Sequence, residues 1–98
     1  MKSFNEKCYE LLKKVPKGKV TTYRDLAHAL HSKGYLAVGN AMNKNPYAPT
    51  VPCHRVVNAN GGLGGFASGL PKKIEMLKKE GVHVVNGKID LDKYLHRF

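Results

Sequence analysis

Carboxylates are scarce in this 98-residue chain: seven Asp and Glu stand against seventeen Lys and Arg, a formal net charge of +10. A surface with that imbalance is drawn to polyanions, whose counterions are released on binding. Long apolar runs are missing as well. The longest covers only a few residues, far short of the roughly 20 that span a bilayer. Neither an arginine-rich presequence nor an apolar segment with a small-residue cleavage site precedes the body of the chain, so an intracellular protein with no membrane partner is expected. Cysteine is limited to Cys8 and Cys53, and in a reducing compartment two free thiols are expected rather than one bridge. The close Cys/His pairs of a structural zinc site are absent among Cys8, His28, His31, Cys53 and His54, so no metal is expected. Internal repeats are absent too.

What is present is an ordered pattern of short elements, with an apolar fraction of 42% spread along the chain. Phe4, Cys8, Leu11, Leu12 and Val15 recur at steps of three and four, which predicts an amphipathic helix over about 3–15. Ser3 would cap it, with Glu6 completing a capping box, and Pro16 to Gly18 would end it. Cys8 falls on the apolar stripe and is assigned to the core. Val20 and Thr21 read as a very short strand or extended connector. Thr22 is a cap for a second helix from Tyr23 to Leu30, and Tyr35, Val38, Ala41 and Met42 mark a third ending near Lys44, where Asn45-Pro46 stops it. Two short helices joined by a compact turn fit a helix-turn-helix, and by spacing alone they fit an ordinary helical hairpin equally well.

Beyond the loop from Pro46 to Thr50 comes Val51-Pro52-Cys53-His54-Arg55-Val56-Val57, in which proline argues against a regular central strand and Val56-Val57 can be extended or buried. Residues 60–69 hold five glycines in ten, a composition that permits tight turns and close approach of backbone to a ligand. No Gly-Lys-Ser/Thr signature follows, which excludes a phosphate-cradling loop of the nucleotidase kind. Pro71 opens a further helix through Ile74, Met76 and Leu77 that ends before Gly81. Val82 to Val85, Asn86-Gly87 and Lys88 to Leu91 predict a hairpin, and Tyr94, Leu95 and Phe98 are expected to pack back on the body.

Cys53 lies among groups able to favour a thiolate: Pro52 stiffens the backbone, and His54 and Arg55 follow directly. Sequence neighbours need not face one another, so His54 can reach the sulfur through water or turn away. A working arrangement also needs a group to orient the imidazole. Glu80 is the favoured carboxylate, with Glu75 the weaker choice, although Glu80 reads equally as a solvated acid at a helix end.

Taken together, Thr22-Tyr23-Arg24-Asp25-Leu26-Ala27, Ala37-Val38-Gly39-Asn40-Ala41-Met42-Asn43-Lys44-Asn45-Pro46 and Pro52-Cys53-His54-Arg55-Val56-Val57 resemble the DNA-binding and active-site domain of the O6-alkylguanine-DNA alkyltransferases, over about Phe4 to Val82. The resemblance implies a mainly α (α+β) fold, a winged helix-turn-helix-like domain with a small β-hairpin. It implies a recognition helix, here Tyr35 to Lys44, that enters the minor groove of double-stranded DNA, with Tyr35, Leu36, Ala37 and Asn40 toward the duplex. The alkylated guanine is flipped out of the stack, and its alkyl group passes irreversibly to a cysteine without any cofactor. Carried onto this chain, Cys53 is the acceptor and His54 its base through a water. Glu80 orients His54, Asn45 braces the active-site turn, and Tyr23 donates a proton or hydrogen bond to the leaving guanine. Backbone carbonyls around Cys53 and Val56 read the guanine amino edge. Arg55 ties the site together, with a DNA phosphate contact as the alternative, and Phe66, Ala67 and Ser68 line the base pocket.

Three departures accompany the resemblance. Leu36 stands where family members usually carry an arginine that replaces the flipped base; an apolar wedge can also support unstacking, without charge or hydrogen bonds. Phe66-Ala67 replace the usual Tyr-Ser pair, with Ser68 one residue late, and loss of one such donor costs about 1 to 3 kcal/mol of transition-state stabilisation. The N-terminal domain common in family members is not expected, so residues 1–98 read as a single domain, expected to be monomeric, with a separate N-terminal domain or another repair protein as an open partner. Compact alkyltransferase-like proteins of about this length typically carry tryptophan or alanine at the nucleophile, whereas this chain keeps Cys53. Single-turnover alkyl transfer is therefore the leading expectation, with noncatalytic lesion binding and a plain winged-helix DNA-binding module as alternatives. In each case affinity for undamaged duplex should fall steeply with salt. If about five phosphates are neutralised, the loss from about 50 to 200 mM salt is on the order of several hundredfold; fluorescence anisotropy would measure it, and a flat salt dependence would refute the electrostatic reading.

Overall fold

The computed structural model describes residues 3–31, 35–47, 50–64 and 69–98. Helix α1 (Phe4–Leu12) starts at Ser3, whose extended backbone lets its Oγ accept from the Glu6 amide at 3.2 Å. It ends three residues before the predicted boundary. The amides of Lys14 and Val15 reach back only three residues, to Leu11 and Leu12, because the following Pro16 disfavours helical geometry at Val15. Cys8, Tyr9 and Leu12 form the buried face of α1, and Val15, just past it, is buried too.

Strand β1 (Thr21–Thr22) leads into α2 (Tyr23–Ala29), where the Thr22 hydroxyl caps the Asp25 amide at 3.0 Å. Helix α3 (Tyr35–Asn43) follows. Leu26 and Ala27 of α2, Val38, Ala41 and Met42 of α3, and Cys8 and Leu12 of α1 close one apolar cluster. The Tyr9 hydroxyl locks α1 to α3 by donating to the Ala41 carbonyl at 2.8 Å. With one face of α3 buried in this way, Leu36, Ala37, Asn40, Asn43 and Lys44 are left on its exposed face.

Strand β2 (Val56–Val57) pairs in parallel with β1, Thr21 opposite Val56 and Thr22 opposite Val57. The crossover a parallel pair requires is supplied by α2, α3 and the loop to Cys53. On the other side of β1 the chain returns: Val20 bridges Leu95 in parallel, and the Val20 amide and carbonyl bond Tyr94 and His96 at 2.9 and 2.7 Å. Helix α4 (Leu70–Lys79) opens with Pro71 in its first turn, as expected, and α5 (Leu91–Tyr94) is a single turn. Leu77, Val82, Ile89 and Tyr94 join Val20, Val57 and Leu63 in a second apolar cluster.

The expected hairpin is present in minimal form. Asn86 and Gly87 both take positive φ, and Val85 and Lys88 exchange both backbone hydrogen bonds at 2.9 and 3.0 Å, as Asn-Gly turns do. The strands do not extend further, because Lys88 bridges Gly62 and the Ile89 amide donates to the Gly61 carbonyl at 2.9 Å. The glycine-rich segment takes the partners a longer ladder would have used. Phe98 departs from expectation: Tyr94 is buried, but Phe98 is 46% exposed and sets its ring edge-on to His96 instead of entering the core. The result is a mainly helical, winged-helix-like domain with a small β component. Among the described residues no helix is long and apolar enough to cross a membrane.

Among the described residues, Gly61 is where backbone geometry leaves least room. Its φ is +88°, and a Cβ there would lie 2.6 Å from the Ile89 carbonyl oxygen. Gly61→Ala is expected to destabilise by more than about 1 kcal/mol, lowering the melting temperature by roughly 4 to 8 °C or more in a domain of this size; calorimetry would check it, and an unchanged transition would contradict the tight packing of this turn.

Candidate active site around Cys53

The segment carrying Cys53 is held from outside itself. The Asn45 side-chain amide donates to the Val51 carbonyl at 2.8 Å, while its Oδ1 accepts from the Tyr47 amide at 2.9 Å. The Cys53 amide returns to the same Val51 carbonyl at 2.9 Å. Cys53 to Arg55 then make one 3-10 turn after Pro52, which has no donor to contribute, before the chain extends into β2. Asn45 thus braces this turn geometrically. Cys53 ends up half-buried, whereas Cys8 lies wholly in the core, where burial pushes its thiol up to about 11. The two thiols are thereby separated into an accessible one and a packed one.

His54 is only 3% exposed, and its Nε2 sits 3.1 Å from Glu80 Oε2. Arg55 grips the same carboxylate with two bonds, Nε to Oε1 at 2.8 Å and Nη2 to Oε2 at 2.6 Å, and its Nη1 donates to the Val15 carbonyl at 2.8 Å. Burial lowers the His54 pKa, and its bond to Glu80 only partly opposes that shift. With Nε2–H donated to a carboxylate, the neutral ring presents Nδ1 as its acceptor nitrogen. Burial acts to raise the Glu80 pKa, but the hydrogen bonds from Arg55 and His54 outweigh it and the net direction is downward. Glu75, the weaker carboxylate candidate, is exposed and pairs with Lys79 on its own helix at 3.2 Å.

Tyr23 is half-buried at the start of α2. Burial, and next the charge of Cys53, raise its pKa, so the phenol keeps its proton. Gly64, with φ of +72°, lies against this ring: a Cβ there would be 3.2 Å from Tyr23 Cε2. Between α2, α3 and residues 58–59 opens a cleft of about 340 Å³, lined by Tyr23, Arg24, Leu36, Asn40, Asn43 and Asn58 with Gly39 and Ala59. Leu36 is 84% exposed at its rim. Ala37 is exposed on the same helix, and Val56 is buried behind the cysteine turn. Phe66, Ala67, Ser68 and the Tyr35 side chain lie outside the described residues. No group of three or more His, Cys, Asp or Glu is placed to hold a metal among the described residues.

Several residues of this region were not anticipated. Arg24, Asn43 and Asn58 gave no periodic signal, being polar residues at ordinary exposed positions. Lys73 did carry one: three residues after Leu70 and four before Leu77, it occupies a place on the apolar stripe of α4, and it is the largest fully buried side chain among the described residues.

A winged-helix-like domain with an accessible cysteine beside a buried His-Glu-Arg cluster is the class these features define. The family model for the 6-O-methylguanine DNA methyltransferase DNA-binding domain matches residues 3–82, and the chain belongs to that family. It is 51% identical over 80 residues to the methylated-DNA–protein-cysteine methyltransferase of Thermococcus kodakarensis, covering 81% of this chain and 45% of the relative. It is 41% identical over 87 residues to a bifunctional methyltransferase/endonuclease of Picrophilus torridus, covering 88% of this chain and 29% of the relative. The chain thus spans less than half the length of these two curated relatives. Among solved structures, S. pombe Atl1 in complex with damaged DNA containing O6-carboxymethylguanine superposes with a TM-score of 0.88 at 28% identity, covering 100% of both chains. The O6-methylguanine-DNA methyltransferase of Pyrococcus kodakaraensis gives 0.76 at 48% identity, over 84% of this chain and 48% of that one.

Acid should loosen this cluster. Because the folded pKa of Glu80 lies below its ordinary 4.5, its contribution is present above that value and is lost as pH falls through the folded pKa. His54, also depressed, adds a loss that begins once pH drops below its ordinary 6.5, where the unfolded chain takes the proton first. Glu80→Gln is expected to cost about 1.5 to 3 kcal/mol at neutral pH and to show a flatter decline below pH 5 than the parent. Melting temperatures recorded from pH 7 to 3 would check this, and parallel curves for both proteins would contradict it.

Proposed function

We propose that this domain repairs DNA by transferring an alkyl group from O6-alkylguanine to Cys53 in a single turnover. The observation that carries the reading is the accessible Cys53 immediately before a buried His54 that is oriented by Glu80, within a chain of this family. The sulfur attacks the alkyl carbon, the carbon–O6 bond breaks, and its electron pair passes to the guanine. The thiol proton leaves toward His54 through a water, and the phenol of Tyr23 supplies a proton to the purine ring, so guanine departs neutral. A thioether on Cys53 and an unmodified guanine are the products. The lowered pKa of His54 keeps it a base at neutral pH, and the raised pKa of Tyr23 keeps it a donor.

In this reading the exposed face of α3 enters the minor groove of duplex DNA, Leu36 fills the space left by the flipped base, and the cleft beside Tyr23 receives the nucleotide. Asn45 holds the cysteine turn and Arg55 holds Glu80. The net charge of +10 supplies the general attraction to phosphate. Phe66, Ala67 and Ser68 would complete the pocket wall, and the protein would act as a monomer inside the cell, in contact with DNA.

A second reading, lesion recognition without transfer, is favoured by one observation: the full-length match to Atl1 together with an apolar Leu36 in place of an arginine. Incubation with O6-methylguanine duplex followed by peptide mass spectrometry separates the two. A methyl group on the peptide containing Cys53 supports transfer. Selective binding of the alkylated duplex with no mass gain in the folded protein supports recognition alone. Cys53→Ala is expected to abolish transfer while lesion binding stays within about threefold of the parent, since the DNA-facing helix is untouched. Leu36→Arg is expected to raise the transfer rate at subsaturating DNA, and an unchanged rate would show that the wedge is not limiting.

A further inference from the structure

The positive charge of this chain is unevenly placed. Among the described residues, the cleft beside Tyr23 and the exposed face of α3 carry two cations, Arg24 and Lys44, out of seventeen Lys and Arg in the chain. A denser group of lysines lies elsewhere. Gly18 packs so closely on the end of α4 that a Cβ there would sit 3.3 Å from the Glu80 carbonyl oxygen, so the flanking Lys17 and Lys19 adjoin the last turn of that helix, which holds Lys78. Lys19 Nζ donates to the Lys93 carbonyl at 3.2 Å, which joins α5 to the same surface. Lys17, Lys78 and Lys93 are exposed, and Lys19 is half-buried with two further ammonium protons to donate. Carboxylates of these segments are committed to other groups: Glu75 pairs with Lys79 at 3.2 Å, Glu80 is held by Arg55 and His54, and Asp90 caps α5 by accepting from the Asp92 amide at 3.0 Å. Asp92 remains as the counter-charge on α5.

We propose that Lys17, Lys19, Lys78 and Lys93 form a second DNA-binding face, which takes the phosphate backbone of a separate duplex while α3 holds the first. The proposal rests on α3 being the lesion-facing helix of the proposed function. The two faces stand at the two ends of one chain of contacts. Tyr23 lines the cleft and lies within reach of the charge of Cys53; His54 follows Cys53, buried, and bonds Glu80; and the Glu80 backbone meets Gly18 between Lys17 and Lys19. A duplex seated along α3 would have to bend around this core to reach the lysines, and DNA is stiff over such short lengths. A separate duplex needs no bending. Ammonium groups meet its phosphates as point charges without touching base edges, so this face reads neither sequence nor lesion. Counterion release there supplies the salt-dependent affinity that two cations around the α3 cleft supply weakly.

Bridging of two duplexes tests the proposal. A biotinylated O6-methylguanine duplex on beads is loaded with Cys53→Ala protein, which cannot consume the lesion, and a fluorescent undamaged duplex is added at about 50 mM salt. The bound protein is expected to capture the fluorescent duplex. Adding Lys17→Gln, Lys19→Gln, Lys78→Gln and Lys93→Gln together is expected to lower that capture about tenfold or more, while affinity for the lesion duplex alone, read by fluorescence anisotropy, stays within about threefold. No capture by the loaded beads, or equal capture with and without the four lysines, would overturn the proposal. So would a footprint on the lesion duplex that shortens when the lysines are replaced, since that places them on the first duplex. If capture depends on the lysines and the parent protein takes no methyl from O6-methylguanine DNA, the second face stands and the alkyltransferase reading fails. If methyl transfer occurs and capture does not, the second face alone is lost.

Discussion

A single carboxylate, that of Glu80 at the end of α4, gathers the parts of the site. It accepts from His54 and takes both arms of Arg55, while Arg55 reaches on to the Val15 carbonyl after α1. Three distant stretches, residues 15, 54–55 and 80, are joined by one charge-assisted network. The donors of Arg55 and His54 also explain why the acid stays ionised despite partial burial: bonds to the charged form outweigh the cost of leaving water. Without this anchor the 3-10 turn of Cys53 would hang between a proline-bounded loop and a two-residue strand, neither of which has enough ladder bonds to fix it.

The division of labour between the two halves of the molecule follows from where the apolar clusters lie. One cluster packs α1, α2 and α3, presenting the outer face of α3 with Leu36 at its rim. The other packs α4, the minimal hairpin and α5 beneath the glycine-rich segment. The parallel pairing of β1 and β2 runs between them, with Thr22 at the cap of the helix that starts with Tyr23 and Val56 just past the cysteine turn. Tyr23 follows the end of β1 and Cys53 precedes the start of β2, and the charge of Cys53 reaches the Tyr23 phenol although thirty residues separate them in sequence.

Much of this was readable from residue order. Helix starts at Ser3 and Thr22, the burial of Cys8, the turn at Asn86-Gly87 and the stop at Asn45-Pro46 are local effects of caps, periodicity and dihedral preference, and each is present. The helix end at Leu12, the shortness of the hairpin and the exposure of Phe98 were not readable, since each was decided by competition with a distant partner or by the next turn of chain. Extended chain was legible near Val20-Thr21 and at Val56-Val57, but the pairing of the two stretches was hidden. Two residues of extended chain carry no period of their own, and only their mutual hydrogen bonds make them a sheet.

By itself the sequence determined the chemistry on offer: a basic chain, one cysteine set between proline and histidine, a glycine-rich run behind it, and motifs that place it in a DNA alkyltransferase family. Whether Glu80 was a solvated acid or the partner of His54 was left open, because a helix-end carboxylate looks the same in either role. Tertiary packing decided that question by carrying the end of α4 against the 3-10 turn. It also decided the place of Lys73, whose identity suggested solvent and whose position on an apolar stripe put it in the core. A side chain's own polarity is legible in one dimension; the carbonyls that make its burial tolerable are assembled only in three.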